Sequence, residues 1–324
     1  MIPKAELHVH LEGAIPPALV RRIAERNGVA VPEGVLEGDR YAWRDFLHFL
    51  ELYDKVVSVL RTPQDYRDIA YEYLVSCAAE GAIYVELTAS PDHAAHAGVA
   101  DEDHVAALAQ ASDDARGDTG IEARVVMTCV RNLGVERCVE VARRVVAHAH
   151  PYVTGFGMAG DEAAFPPGPF AEAFRIAHDA GLGITVHAGE WAGPDSIRGA
   201  LELPVPVTRL GHGVRAIEDP ALVAELAERG TVLEVCPTSN VVLGVFRSYA
   251  EHPLPKLRDA GVRVTLGSDD PPWWGATIGG EYRVAQEEFG LEGRDLVEIT
   301  RTALAAAFVQ DDVRAGLLRR LPAG

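Results

Sequence analysis

The sequence predicts an α/β fold: one (β/α)8 TIM barrel, with a helical insertion after its first strand and extra helices at its C-terminal end. Three observations point there. Apolar, β-rich runs at 5–11, 82–89, 121–130, 153–158, 183–187, 208–211, 231–235 and 262–267 alternate with stretches of helical periodicity, such as 169–180, 220–228 and 254–260. Eight strands joined by helical crossovers form a parallel sheet with right-handed connections, and eight is the number that closes into a barrel. The 324 residues suit such a barrel, and no Gly/Ser/Pro-rich linker or repeat divides them, so 1–324 reads as one domain.

The first strand carries His8 and His10 in Glu6-Leu7-His8-Val9-His10. Residues i and i+2 of a strand share a face, so both imidazoles can aim at one point. The stretch 15–80 that follows is too long for a simple crossover. Its Trp43, Phe46, Leu47, Leu50, Tyr53, Val57 and Leu60 form a helical stripe, which either packs on the barrel or caps its C-terminal mouth. The fifth strand runs out in His187-Ala188-Gly189-Glu190, the sixth in Gly211-His212-Gly213, and the eighth in Ser268-Asp269-Asp270-Pro271.

Residues at the C-terminal ends of barrel strands converge on one mouth. Three to four histidines and one aspartate meeting there form a donor set suited to zinc, with one position left for water. The remaining histidines (His48, His93, His96, His104, His148, His150, His178, His252) fall in helical or loop stretches and receive no metal role. Lys4, Lys55 and Lys256 are the only lysines, and none ends a strand. A lysine-bridged binuclear centre is therefore disfavoured against a mononuclear one. A metal-activated water needs a proton donor on the leaving side, and Glu190, three residues after His187, is placed for that. Alternatively, Glu190 is a helix-start carboxylate before Pro194-Asp195-Ser196.

The net charge of −18 argues against nucleic acid or an anionic membrane as partner. Cys77, Cys129, Cys138 and Cys236 show no C-x-x-C spacing and read as buried thiols of a reducing compartment. With Met1–Lys4 running straight into the first strand and no apolar run of about 18 residues, the expected location is cytoplasmic. No feature of the sequence sets an oligomeric state.

Six segments together carry a resemblance. His8-Val9-His10-Leu11-Glu12-Gly13-Ala14, Ala159-Gly160-Asp161-Glu162, His187-Ala188-Gly189-Glu190, Gly211-His212-Gly213, Pro237-Thr238-Ser239-Asn240 and Ser268-Asp269-Asp270-Pro271 span nearly the whole chain. In that order they resemble the adenosine deaminase family of metal-dependent amidohydrolases. The resemblance implies one zinc per chain, held by His8, His10, His187 and Asp269. It implies that His212 orients and stabilises the attacking hydroxide, that Glu190 protonates the purine at N1, and that Asp270 bonds N7. The backbone at Gly160 would approach N3, with His10 and Glu12 also beside the substrate. The implied activity is an aminohydrolase releasing ammonia from the 6-amino group of an adenine nucleoside, foremost adenosine or 2′-deoxyadenosine.

Departures from the family pattern bear on the substrate. Glu12 stands where an Asp near the sugar is usual, Gly157 replaces an Asp, and the bulky Trp273-Trp274 follows the Asp-Asp-Pro motif. The presence of Ala-Gly-Asp-Glu favours a nucleoside over free adenine, with adenine, aminodeoxyfutalosine and 5′-modified adenosines as alternatives. Two rivals stand outside the deaminases. A barrel phosphoesterase also opens with His-x-His but needs two or three metals; a silent purine-binding protein would keep only the fold. The P-C-x-x-C ligands of the cytidine-deaminase route are absent.

Overall fold

A computed structural model describes residues 2–322; Met1, Ala323 and Gly324, part of the expected domain 1–324, lie outside the described residues. The strands are β1 (Lys4–Glu6), β2 (Ala82–Ala89), β3 (Glu122–Val130), β4 (Val153–Ala159), β5 (Gly183–Ala188), β6 (Arg209–His212), β7 (Val232–Val235) and β8 (Arg263–Leu266). They pair in parallel in chain order as one eight-stranded sheet. Helices cover its outer face, which is why β2 is buried along its whole length and reads as an unbroken run, Ala-Ile-Tyr-Val-Glu-Leu-Thr-Ala. The barrel is as expected.

β1 is shorter than its apolar run, 5–11. Regular pairing ends at Glu6, and the chain continues as two isolated bridges, Val9 with Asp269 and His10 with Thr88. These bridges bring the ring together: the Asp269 N–H donates to the His8 carbonyl at 3.1 Å, and the His10 N–H donates to the Asp269 carbonyl at 2.9 Å. Gly267 permits the approach, since a Cβ there would meet the His8 carbonyl oxygen at 2.6 Å.

The stretch 15–80 is not helical throughout. Helices Pro17–Arg26, Phe46–Val57 and Pro63–Ala79 are interrupted by a small antiparallel hairpin, Leu36–Glu37 with Arg40–Tyr41. Gly38-Asp39 makes its two-residue turn, with Gly38 at φ +59°, a glycine-dependent hairpin signal that the helical stripe obscured. Asp45 caps Phe46–Val57 by accepting the His48 N–H, and a Thr62/Asp65 capping box starts Pro63–Ala79. Helix Pro63–Ala79 packs against helix Asp101–Thr119 and belongs to the barrel's outer layer rather than to a cap. No helix among the described residues is long and apolar enough to cross a membrane.

The end of the barrel opposite the C-terminal mouth is plugged from the C-terminal region. Helix Gly293–Ala306 packs over β8 and β1, and beyond it Phe308 turns under the sheet, with helix Asp311–Leu318 outside. The Arg209 guanidinium lies 3.6 Å from the Phe308 ring centroid. Gly155 and Gly183 leave the ring its space: a Cβ on either would lie 2.7 Å and 2.2 Å from it. Gly183→Ala is therefore expected to destabilise the fold by about 1–3 kcal/mol through overpacking, seen as a lower Tm. Gly168→Ala, which points into open space, is the control expected to leave Tm unchanged.

Candidate active site

At the mouth, four expected ligands meet. The Nε2 atoms of His8 and His10 lie 3.4 and 3.3 Å from Asp269 Oδ1, and His10 Nε2 lies 3.2 Å from His187 Nε2. One donor atom from each of the four residues falls within 4.8 Å of all the others. His8 Nε2 is buried and without a hydrogen-bond partner among the described residues. Its other ring nitrogen, Nδ1, donates to Glu234 Oε2 at 2.9 Å, which leaves the Nε2 lone pair free for a ligand. Three imidazoles and a carboxylate are a donor set of the zinc type.

The electrostatics agree with a cation here. Burial opposes a charge on His8, yet Asp269 and Glu234 outweigh it and raise its pKa to about 10. Burial, then the neighbouring imidazoles, push His187 well below its usual range, so its lone pair is available.

Asp269 reaches the cluster through an unusual backbone, φ +64°. Such a conformation persists only where surrounding bonds enforce it. Glu6 does so by accepting the Ser268 N–H at 2.7 Å and its hydroxyl at 2.6 Å, while Tyr73 donates to the other Glu6 oxygen at 2.6 Å. Ser239 then donates to Asp269 Oδ2 at 2.6 Å, so that Oδ1 is turned to the histidines.

His212 is also at positive φ, +59°, and burial brings its pKa down to about 3. Its tautomer follows from a chain of bonds that starts at a backbone donor. The Leu254 N–H donates to His252 Nδ1, so His252 carries its proton on Nε2 and donates to Asn240 Oδ1, at 3.2 Å each. The Asn240 amide must then donate to His212 Nδ1, again at 3.2 Å. His212 keeps its proton on Nε2, on the side facing Glu190 Oε2, 3.7 Å away. Glu190 is buried; desolvation first, then Asp269 and Glu162, holds its pKa well above the usual carboxyl range. It does not start a helix, because the next one begins at Pro194.

His10, His187, Glu190, His212 and Asp269 line one cavity of about 880 Å³, together with Glu12, Gly160 and Asp270. Gly160, at φ +110°, presents bare backbone to it. Asp270 Oδ1 has no partner among the described residues and lies so close to Gly13 that a Cβ there would overlap it. Glu12 Oε1 accepts the Ser90 N–H at 3.0 Å. The insertion supplies a wall through Phe46, Leu50, Tyr53 and Val57, one helical face, while Leu47 falls off that face and is exposed. Trp274 lines the cavity, whereas Trp273 stacks on Tyr41 at 3.7 Å and ties down the hairpin. At Gly157 a Cβ would strike the Thr128 hydroxyl at 2.8 Å, so Thr128 fills that place.

Sequence reasoning missed the supporting residues. Glu234 and Arg209 had a signal, a charge inside an apolar strand: Val-Leu-Glu-Val and Arg-Leu-Gly-His. Asn240 lay in a recognised segment without a role, and His252, in a loop, had no signal. The Ala-Gly-Asp-Glu motif divides in two: its Gly160 lines the cavity, while its glutamate had no assigned role. Its Glu162 does not line the cavity but turns to the loop that carries Glu190, accepting its N–H at 3.0 Å.

The family model described as "Adenosine deaminase" matches residues 3–323. An adenine deaminase of Chelativorans sp. (strain BNC1) is 50% identical over 99% of this chain and 98% of its own length. That of Agrobacterium fabrum is 46% identical over 98% and 97%. Among solved structures, adenine deaminase from Arthrobacter aurescens superposes with a TM-score of 0.91 at 31% identity, covering 98% of both chains. An amidohydrolase from Burkhoderia ambifaria, solved with bound zinc, has a TM-score of 0.89 at 29% identity, covering 98% of this chain and 89% of its own.

Loss of the carboxylate behind His8 is expected to weaken metal binding. Glu234→Gln should reduce zinc affinity about 10–100-fold, measured by competition with a chelator on protein shown folded by circular dichroism.

Proposed function

The chain belongs to the adenosine deaminase family of hydrolytic aminohydrolases, and from that premise we propose that it deaminates free adenine, giving hypoxanthine and ammonia. The choice of base over nucleoside rests on one observation: the full-length relatives at 50% and 46% identity are adenine deaminases. It replaces the expectation of adenosine with what stood as an alternative. Glu12 supports it: one methylene longer than the expected Asp, it occupies the side where a sugar was expected and is tied to Ser90.

His8, His10, His187 and Asp269 would hold one zinc per chain, as the zinc-bound relative and the convergence of donor atoms suggest. When bound, the metal would lower the pKa of a water and make it a nucleophile at neutral pH. The remaining roles belong to side chains. Glu190, protonated by burial, gives its proton to N1, so that charge arising in the ring at C6 is taken up. His212, with its Nε2 proton facing the site, orients the attacking oxygen on one face of the ring. Asp270 Oδ1 is placed for the N7 edge, the Gly160 backbone for N3, and His10 and Glu12 complete the substrate's surroundings. The helix Phe46–Val57, which lines the cavity, would serve as a cap, one of the two placements open for the insertion, within a single domain. Four free, buried thiols accord with a cytoplasmic setting.

A panel of adenine, adenosine, 2′-deoxyadenosine, aminodeoxyfutalosine and 5′-methylthioadenosine compared by kcat/KM tests the substrate. Adenine should lead, and a lead by adenosine would return the nucleoside. Glu190→Gln is expected to keep its zinc and lose about 10²–10⁴-fold in kcat, whereas His187→Ala should lose zinc and activity together, read by elemental analysis.

A further inference from the structure

The loop between β5 and helix Pro194–Leu201 has no regular secondary structure to take up its backbone N–H groups. Buried donors must find acceptors. Four consecutive ones, of Gly189, Glu190, Trp191 and Ala192, find the same carboxylate. Glu162 Oε1 accepts from Gly189, and Oε2 accepts from Glu190, Trp191 and Ala192 at 3.0, 2.9 and 3.1 Å. Glu162 is itself buried, at 3% exposure. Gly189 makes the concave backbone possible with φ +81°, where a Cβ would also strike Ile197 at 2.4 Å.

The same loop is fixed from two other strand ends. Arg131, fully buried, donates to the His187 carbonyl at 2.7 Å. The Arg215 N–H donates to the Gly189 carbonyl at 2.9 Å, and its guanidinium donates to the Trp191 carbonyl. Asn132, next to Arg131, accepts the Asp161 N–H at 2.8 Å and so sets the turn that delivers Glu162.

We propose that Glu162 is a positioning residue for the reaction: its carboxylate clamps the backbone of Glu190 and thereby aims the Glu190 side chain into the cavity. Glu162 does not line the cavity, so it acts through the backbone that carries Glu190, and the inference rests on Glu190 being the acid. An amide would turn its NH2 against at least one of the four donors and leave a buried N–H unpaired.

The test is a double-mutant cycle on the zinc-loaded enzyme with adenine as substrate. Glu162→Gln is expected to retain zinc by elemental analysis and to keep KM within about threefold. Its kcat should fall about 10²-fold, the effect of a displacement near 1 Å at a reacting group. In a Glu190→Gln background the same substitution should cost nothing further, because the group it positions is gone. Parental kcat in Glu162→Gln, zinc loss in proportion to activity, or an undiminished effect in the Glu190→Gln background would each overturn the proposal. Near-parental activity of Glu190→Gln by itself would instead overturn the acid assignment. If Glu162→Gln is not recovered folded, Glu162→Asp takes its place in the cycle, with an intermediate kcat expected and the same outcomes overturning.

Discussion

The seam between β1 and β8 carries the rest of this structure. Two backbone hydrogen bonds, from Asp269 to His8 and from His10 to Asp269, bring the two ends of the sheet together. The same three residues turn their side chains toward one point above the seam. Barrel closure and ligand convergence are thus one geometric event. Gly267, without a side chain, lets the strands approach, and the positive φ of Asp269 redirects the chain so that its carboxylate faces the histidines. A metal bound there would hold the seam from above, coupling occupancy to folding stability.

Beneath the seam lies a buried charge network that only a site of this kind explains. Arg209 of β6 is fully buried, 2.6 Å from Glu86 of β2 and 2.7 Å from Glu234 of β7. Taking such charges out of water is costly, and a hydrophobic interior would be at least as stable. What the network secures is an ionised Glu234, whose pKa is lowered by Arg209 and His8 against the opposing effect of burial. That carboxylate orients His8. The cation–π contact with Phe308 extends the support to the plugged end of the barrel.

Parts of this were legible beforehand because they depend on local periodicity. Alternating apolar runs gave the eight strands, and the His-x-His spacing placed two imidazoles toward one point. The helical stripe of the insertion correctly brought Phe46, Leu50, Tyr53 and Val57 to a common surface. The hairpin at 36–41 was lost because two-residue strands leave almost no period to read. Ala-Gly-Asp-Glu could not be divided from the sequence: its glycine faces the cavity and its glutamate faces the protein.

The sequence by itself determined the fold class, the zinc-type donor set and the carboxyl beside it, since each follows from residue type and position relative to a strand end. Only the tertiary structure decided how those groups are held. Glu234 is 226 residues from His8, and Glu162 is 28 from Glu190. Asn240 and His252 set the proton on His212 from a separate part of the chain. Such support has no sequence period, because a hydrogen bond requires only that two groups meet within about 3 Å, wherever along the chain they began.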